Sequence, residues 1–199
     1  PNTPQQWPNL RILNLEIHGG YHESIRELLL SFNPESLRLV FMQIGSWQYK
    51  RSLTRYLSDC KSLSNLRSLE IAGHFRCEDL KSSDFLSSKL SKLPDLTEIT
   101  FGPIGHFPPG DMLVLFPTTL RKLRLVDSMV HPRPPQCKAC LLGGLMRFRE
   151  TLVVLDLQVH SYGFESLLRF DKIFIALMSL RIELSFFYKR CNLDLTTVR

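Results

Sequence analysis

The chain has 199 residues, 25 Lys plus Arg against 19 Asp plus Glu, and a formal net charge of +6. It is long enough to bury a sizeable core, and its apolar runs are too short and too interrupted by charge to form a membrane-spanning helix. No P-loop, dinucleotide-binding glycine pattern or HExxH motif is present, and no Ser-His-Asp set has a recognisable context, so composition and motifs exclude the commonest nucleotide and hydrolase chemistries.

Taken in chain order, one phrase recurs. Residues 7–17 read "WPNLRILNLEI" and residues 34–44 "PESLRLVFMQI". Residues 63–71 follow with "LSNLRSLEI", 93–101 with "LPDLTEITF", 117–125 with "PTTLRKLRL", 150–157 with "ETLVVLDL" and 177–186 with "LMSLRIELSF". Aligned on the leucine of the Leu-Arg-like step, the copies are anchored at Leu10, Leu37, Leu66, Leu96, Leu120, Leu152 and Leu180, at intervals of 24 to 32 residues. Seven imperfect copies at nearly one period identify a repeat protein. Leucine alone supplies 36 residues, which fits a core paced by that residue.

Each copy ends in apolar residues that alternate with polar ones, the signature of a half-buried strand. Apolar residues at helical spacing lie between the strands. They predict helices over His22–Phe32, Gln48–Ser62, Leu80–Lys92 and Gly163–Ser179, while Pro109–Phe116 has room for a turn or two. Gly143-Gly144 is expected to break a helix. The chain is therefore expected to be a single α/β domain over 1–199: a solenoid of about seven irregular repeats, with a curved parallel sheet on its concave side and helices on its convex side. The pattern breaks in "SFFYKRCNLDLTTVR", which reads as a degenerate cap or as a place where the natural chain continues. With Pro1 opening almost directly into the first strand, the chain reads as a fragment of a longer one.

The "NLRSLEI" phrasing at a period near 28 resembles the leucine-rich repeat family, most closely the repeat region of fungal-type F-box proteins. The resemblance covers nearly the whole chain. The Asn or Cys that usually follows the strand is mostly missing, and no F-box segment is present. The repeats imply a non-catalytic scaffold that binds another protein or peptide, and the resemblance implies a role in recognising substrates for a ubiquitin ligase. Contact with that ligase's adaptor would require an F-box outside this chain.

In such a solenoid, residues between the inward leucines face the concave surface. They are Ile12, Asn14 and Glu16; Leu39, Phe41 and Gln43; Ser68 and Glu70; Glu98 and Thr100; Lys122 and Arg124; and Val154, Asp156 and Gln158. An exposed Leu39–Phe41 pair fits either a partner contact or cover by a neighbouring segment. The residue after each anchor is arginine in five copies, Arg11, Arg38, Arg67, Arg121 and Arg181, which predicts an arginine edge along the sheet. That edge either binds anionic surfaces or nucleic acid, or is neutralised by Glu16, Glu70, Glu98 and Asp156.

Cys137-Lys-Ala-Cys140 is the one local motif with zinc or redox potential, but no second ligand pair accompanies it. Three histidines that follow strands, His18, His74 and His160, with His106, share a rim without a spacing that favours one metal ion. No cofactor or membrane partner is expected; the alternatives to a protein-binding scaffold are a metal-binding or redox protein using Cys137 and Cys140, and a binder of anionic surfaces or nucleic acid through the arginine edge. The five scattered cysteines and the absence of any Asn-X-Ser/Thr site point to an intracellular, cytoplasmic or nuclear location.

Overall fold

The computed structural model describes residues 10–18, 23–32, 34–42, 63–73, 90–104, 113–114, 116–127, 143–159, 175–186 and 189–196. One eight-stranded sheet organises them. Its strands are β1 (Ile12–His18), β2 (Ser36–Met42), β3 (Ser68–Ala72), β4 (Glu98–Ile104), β5 (Lys122–Asp127), β6 (Val154–Val159), β7 (Ser179–Phe186) and β8 (Lys189–Thr196). They lie side by side in chain order. The first seven run parallel, and β8 turns back antiparallel along β7.

Alternation within each strand assigns its two faces. One buried row runs Leu13, Leu37, Leu69, Ile99, Leu123, Leu155 and Leu180, each opposite the next in hydrogen-bond register. Two residues further along, Leu39, Ile71, Phe101, Leu125 and Leu157 form a second buried row on the same face. Against these rows pack side chains from the connecting segments: Leu29 of helix α1 (Glu23–Ser31), then Leu63, Leu90, Leu113, Phe116, Leu145 and Phe148, all in one apolar cluster. The Phe101 and Phe116 rings stack with centroids 5.5 Å apart and planes 11° from parallel, tying β4 to the segment that leads into β5. No strand could bury its leucines alone; neighbours share one apolar layer.

A second ladder runs along the ends where the strands begin. The Arg11 carbonyl accepts hydrogen bonds from both the Glu35 and the Ser36 amides, and the Glu35 carbonyl from Arg67 and Ser68. The pattern continues through the carbonyls of Arg67, Thr97, Arg121 and Val153. Each strand start is thereby fixed by the one before it, and the side chains at this position fall into a row one step outside the sheet.

Register corrects the alignment of two copies. Leu37 pairs with Leu13 and Leu69, and Leu180 with Leu155. Both leucines are thus the second leucine of their copies, not the first, and the anchors are Pro34 and Leu177. The dipeptide Leu-Arg in "SLRLV" and "SLRIE" mimics the anchor three residues too late. With Leu177 as anchor, Ile182 falls opposite Leu157 in ordinary register and the pattern runs unbroken into β7. The segment beyond it forms β8, a strand that occupies what would otherwise be the open edge of the parallel sheet.

The helical expectations fare unevenly. α1 lies within the predicted His22–Phe32. Of Leu80–Lys92 only the 3-10 turn Leu90–Lys92 is described, and Gln48–Ser62 lies outside the described residues. Of the predicted Gly163–Ser179 helix only 175–179 lie within the described residues, and they are not helical. Residues 175–178 are extended or bent because the Ile175 and Met178 amides donate to the Arg149 and Val153 carbonyls. Gly143 and Gly144 do not break a helix; they lie in a helical turn that continues as the 3-10 turn Met146–Phe148.

Candidate functional site

The sheet face opposite the leucines carries polar side chains in three rows. Ile12, Ser36, Ser68, Glu98, Lys122, Val154 and Ser179 share the first row. Asn14, Arg38, Glu70, Thr100, Arg124, Asp156 and Arg181 share the middle row by the same pairings. A third row holds Glu16 and Val40, then Ala72, and further along Val126 and Gln158.

Opposite charges meet where neighbouring strands bring them together. Arg38 Nε donates to Glu70 Oε1 at 2.8 Å across β2 and β3. Lys122 Nζ lies 3.4 Å from Glu98 Oε2 across β4 and β5, and Arg124 Nε 3.2 Å from Asp156 Oδ2 across β5 and β6. The hydrogen bond and charge of Glu70, with a smaller contribution from Glu16, raise the Arg38 pKa above its ordinary value. That guanidinium is a permanent cation at any working pH. Most pairs are half-exposed and individually worth on the order of 0–1 kcal/mol. Their structural effect is to hold long side chains in one arrangement, each acid beside a base on a neighbouring strand. Asp156 is the most enclosed member, with only 16% of its side chain accessible.

Most of the residues expected on this face are there: Ile12, Asn14, Glu16, Ser68, Glu70, Glu98, Thr100, Lys122, Arg124, Val154, Asp156 and Gln158 all occupy its rows. Leu39 is a correction. It is fully buried between Leu15 and Ile71 in the leucine layer. Phe41 pairs in register with Ile17. A strand read an odd number of residues out of phase exchanges its faces, and the misplaced anchor at Leu37 produces that exchange. The residues β2 contributes instead are Ser36, Arg38 and Val40. Gln43 lies outside the described residues.

The arginine edge also divides. Arg11, Arg67 and Arg121 stand in the row where the strands begin, together with Glu35, Thr97 and Val153. Arg38 and Arg181 belong to the middle row of the polar face, among Glu70 and Asp156. Arg11 Nε lies 3.7 Å from Glu35 Oε1 in the neighbouring copy. A continuous like-charge ladder is therefore absent.

Alongside Arg67, Thr97 and Arg121 lies a groove of about 730 Å³, also lined by Asp95, Thr119, Glu150 and Thr151. Its threonines and acids stand outside the Leu-Arg dipeptide that marks the repeats in the sequence. Reading the residues just before each strand in every copy would have collected them.

His18 Nε2 lies 4.0 Å from Glu16 Oε2 at the end of β1; His74, His106, His160, Cys137 and Cys140 lie outside the described residues. Among the described residues, no group of three or more His, Cys, Asp or Glu is placed to hold a metal ion, and no helix is long and apolar enough to cross a membrane. Compared with protein-family models, curated proteins and solved structures, the chain matches none.

Proposed function

We propose that this chain is a non-catalytic interaction scaffold of the leucine-rich-repeat kind, which binds another protein or peptide on the polar face of its sheet. The observation that carries the reading is the charged array Arg38–Glu70, Glu98–Lys122 and Arg124–Asp156, presented at fixed spacing by strands whose opposite face is an unbroken leucine layer. A rigid layer beneath and pre-positioned ionic groups above lower the ordering cost of association. Electrostatic complementarity of this kind selects partners and register more than it adds affinity. The Leu-x-x-Leu-x-Leu phrasing favours the repeat architecture of F-box receptors and, with it, recognition of ubiquitin-ligase substrates.

The test compares capture of proteins from source-cell extract by the parent chain and by an Arg38→Glu/Lys122→Glu variant of unchanged circular dichroism. A partner held by the parent and lost by the variant supports the polar face as the binding surface; identical capture by both refutes it. The ligase role depends separately on an F-box in the same gene product. A product that lacks one retains the scaffold and loses that role.

A further inference from the structure

We infer that the groove where β3 to β6 begin is a second binding site, and that its ligand is a peptide segment bearing a phosphorylated side chain. The inference concerns the strand-entry end of the sheet and does not depend on the polar face.

The first observation is a contrast in charge. The other described cations on the polar rows and in the entry row have acids to meet: Arg38 has Glu70, Lys122 has Glu98, Arg124 has Asp156, and Arg11 has Glu35, while Arg181 lies opposite Asp156 in register. Among the described residues, Arg67 and Arg121 have no acidic side chain within ion-pair distance, although both are exposed and line the same groove. They sit on alternate copies with Thr97 between them, so their backbones are about 10 Å apart at ordinary strand spacing. Two guanidinium forks at that separation can converge on one group above Thr97. A phosphate monoester, with about −1.5 to −2 charges near neutral pH, matches two guanidiniums in charge and in donor geometry, whereas a carboxylate would neutralise one.

The second observation is which polar groups remain for a ligand. The amides of Thr97 and Arg121 donate to the entry ladder, so side chains must do the recognising. Thr119 Oγ1 donates to the Leu96 carbonyl at 3.0 Å, and Thr97 Oγ1 contacts the Arg67 carbonyl at 3.4 Å. Thr151 Oγ1 is buried at the groove without a hydrogen-bond partner. A buried hydroxyl left unsatisfied costs on the order of 1–3 kcal/mol, and a small side-chain movement would let it donate to a ligand oxygen.

Size and flanking charge select a peptide over a free ion. The groove crosses four strand starts, about 14 Å, which is the length of about four extended residues. Asp95 and Glu150 also line it, with Glu150 Oε1 held 3.1 Å from Arg149. Their charges repel a free anion approaching alone. They favour a segment whose phosphorylated residue has basic neighbours.

The experiment measures retention, by the full 199-residue chain, of a degenerate heptapeptide library with phosphoserine fixed at its centre, against the same library with serine. The expected result is at least about tenfold preference for the phosphorylated library, with selected peptides enriched in Lys and Arg beside the phosphoserine. Arg67→Gln and Arg121→Gln each reduce retention by about tenfold, equivalent to about 1.4 kcal/mol, whereas Arg26→Gln on α1 leaves it unchanged. Both groove arginines are exposed, so matching thermal transitions of the variants separate lost binding from lost folding. Equal retention of the two libraries overturns the inference. So does retention undiminished in both groove variants, or reduced as much by Arg26→Gln. Tighter retention of a single-stranded DNA oligomer than of the selected phosphopeptides overturns it too.

Discussion

Gly102 of β4 and Val126 of β5 approach so closely that a Cβ built on Gly102 would lie 2.2 Å from the Val126 Cβ and 2.8 Å from its carbonyl oxygen. Gly102 also has φ near +152°, and the β4–β5 register shifts between Phe101 and Ile104. The glycine therefore lets the chain bulge at the end of the strand while the leucine rows stay aligned. Gly102→Ala is expected to destabilise the protein by about 2–4 kcal/mol through clash and backbone strain. Gly143→Ala meets nothing within 4 Å in its helical turn and is expected to be neutral or stabilising by up to about 1 kcal/mol. Denaturant midpoints of the two variants check the contrast.

The face assignment of β2 yields a second expectation. Leu39 is fully buried and Ile12 is 61% exposed. Leu39→Ala should therefore cost about 2–5 kcal/mol and Ile12→Ala less than about 0.5 kcal/mol. Equal effects in urea unfolding would mean that β2 presents its other face.

The strands were legible in the sequence because period-two alternation states directly which residues are buried: Leu69 and Ile71, or Leu123 and Leu125, could hardly serve another element. Register was legible only where Leu-x-x-Leu-x-Leu was complete. Where proline replaces the anchor leucine, at Pro34, the next Leu-Arg step at Leu37 looks like an anchor, and Leu39 is carried to the wrong face. The spacing Leu37–Leu39 matches Leu69–Ile71 and holds the correct answer. β8 was illegible because an antiparallel strand after β7 has no counterpart among the earlier copies. The charge pairs were half-legible: Glu70 and Asp156 were visible as possible partners, but choosing Arg38 and Arg124 for them required the register.

The cross-strand ion pairs should differ in strength. Arg38–Glu70 is half-exposed, so a double-mutant cycle with Arg38→Gln and Glu70→Gln is expected to give a coupling of about 0.2–1 kcal/mol, reduced at high salt. Arg124–Asp156 encloses its carboxylate more fully and should show the larger, less salt-sensitive coupling. Thermal unfolding at low and high ionic strength measures both.

The stacked pair Phe101–Phe116 joins the strand layer to the connecting segments. Phe116→Ala is expected to cost about 3–5 kcal/mol, while Phe116→Leu, which keeps most of the volume, should cost clearly less. Calorimetric unfolding of the two variants distinguishes loss of volume from loss of the ring.

Site-specific photo-crosslinking locates the partner proposed for the polar face, with the photoreactive residue placed in turn at Asn14 and Lys122 on that face and at Glu27 on the exposed side of α1. The captured partner is expected to crosslink from Asn14 and Lys122 and not from Glu27. Crosslinking from Glu27 alone would move the binding surface to the helical side and rule out the polar face.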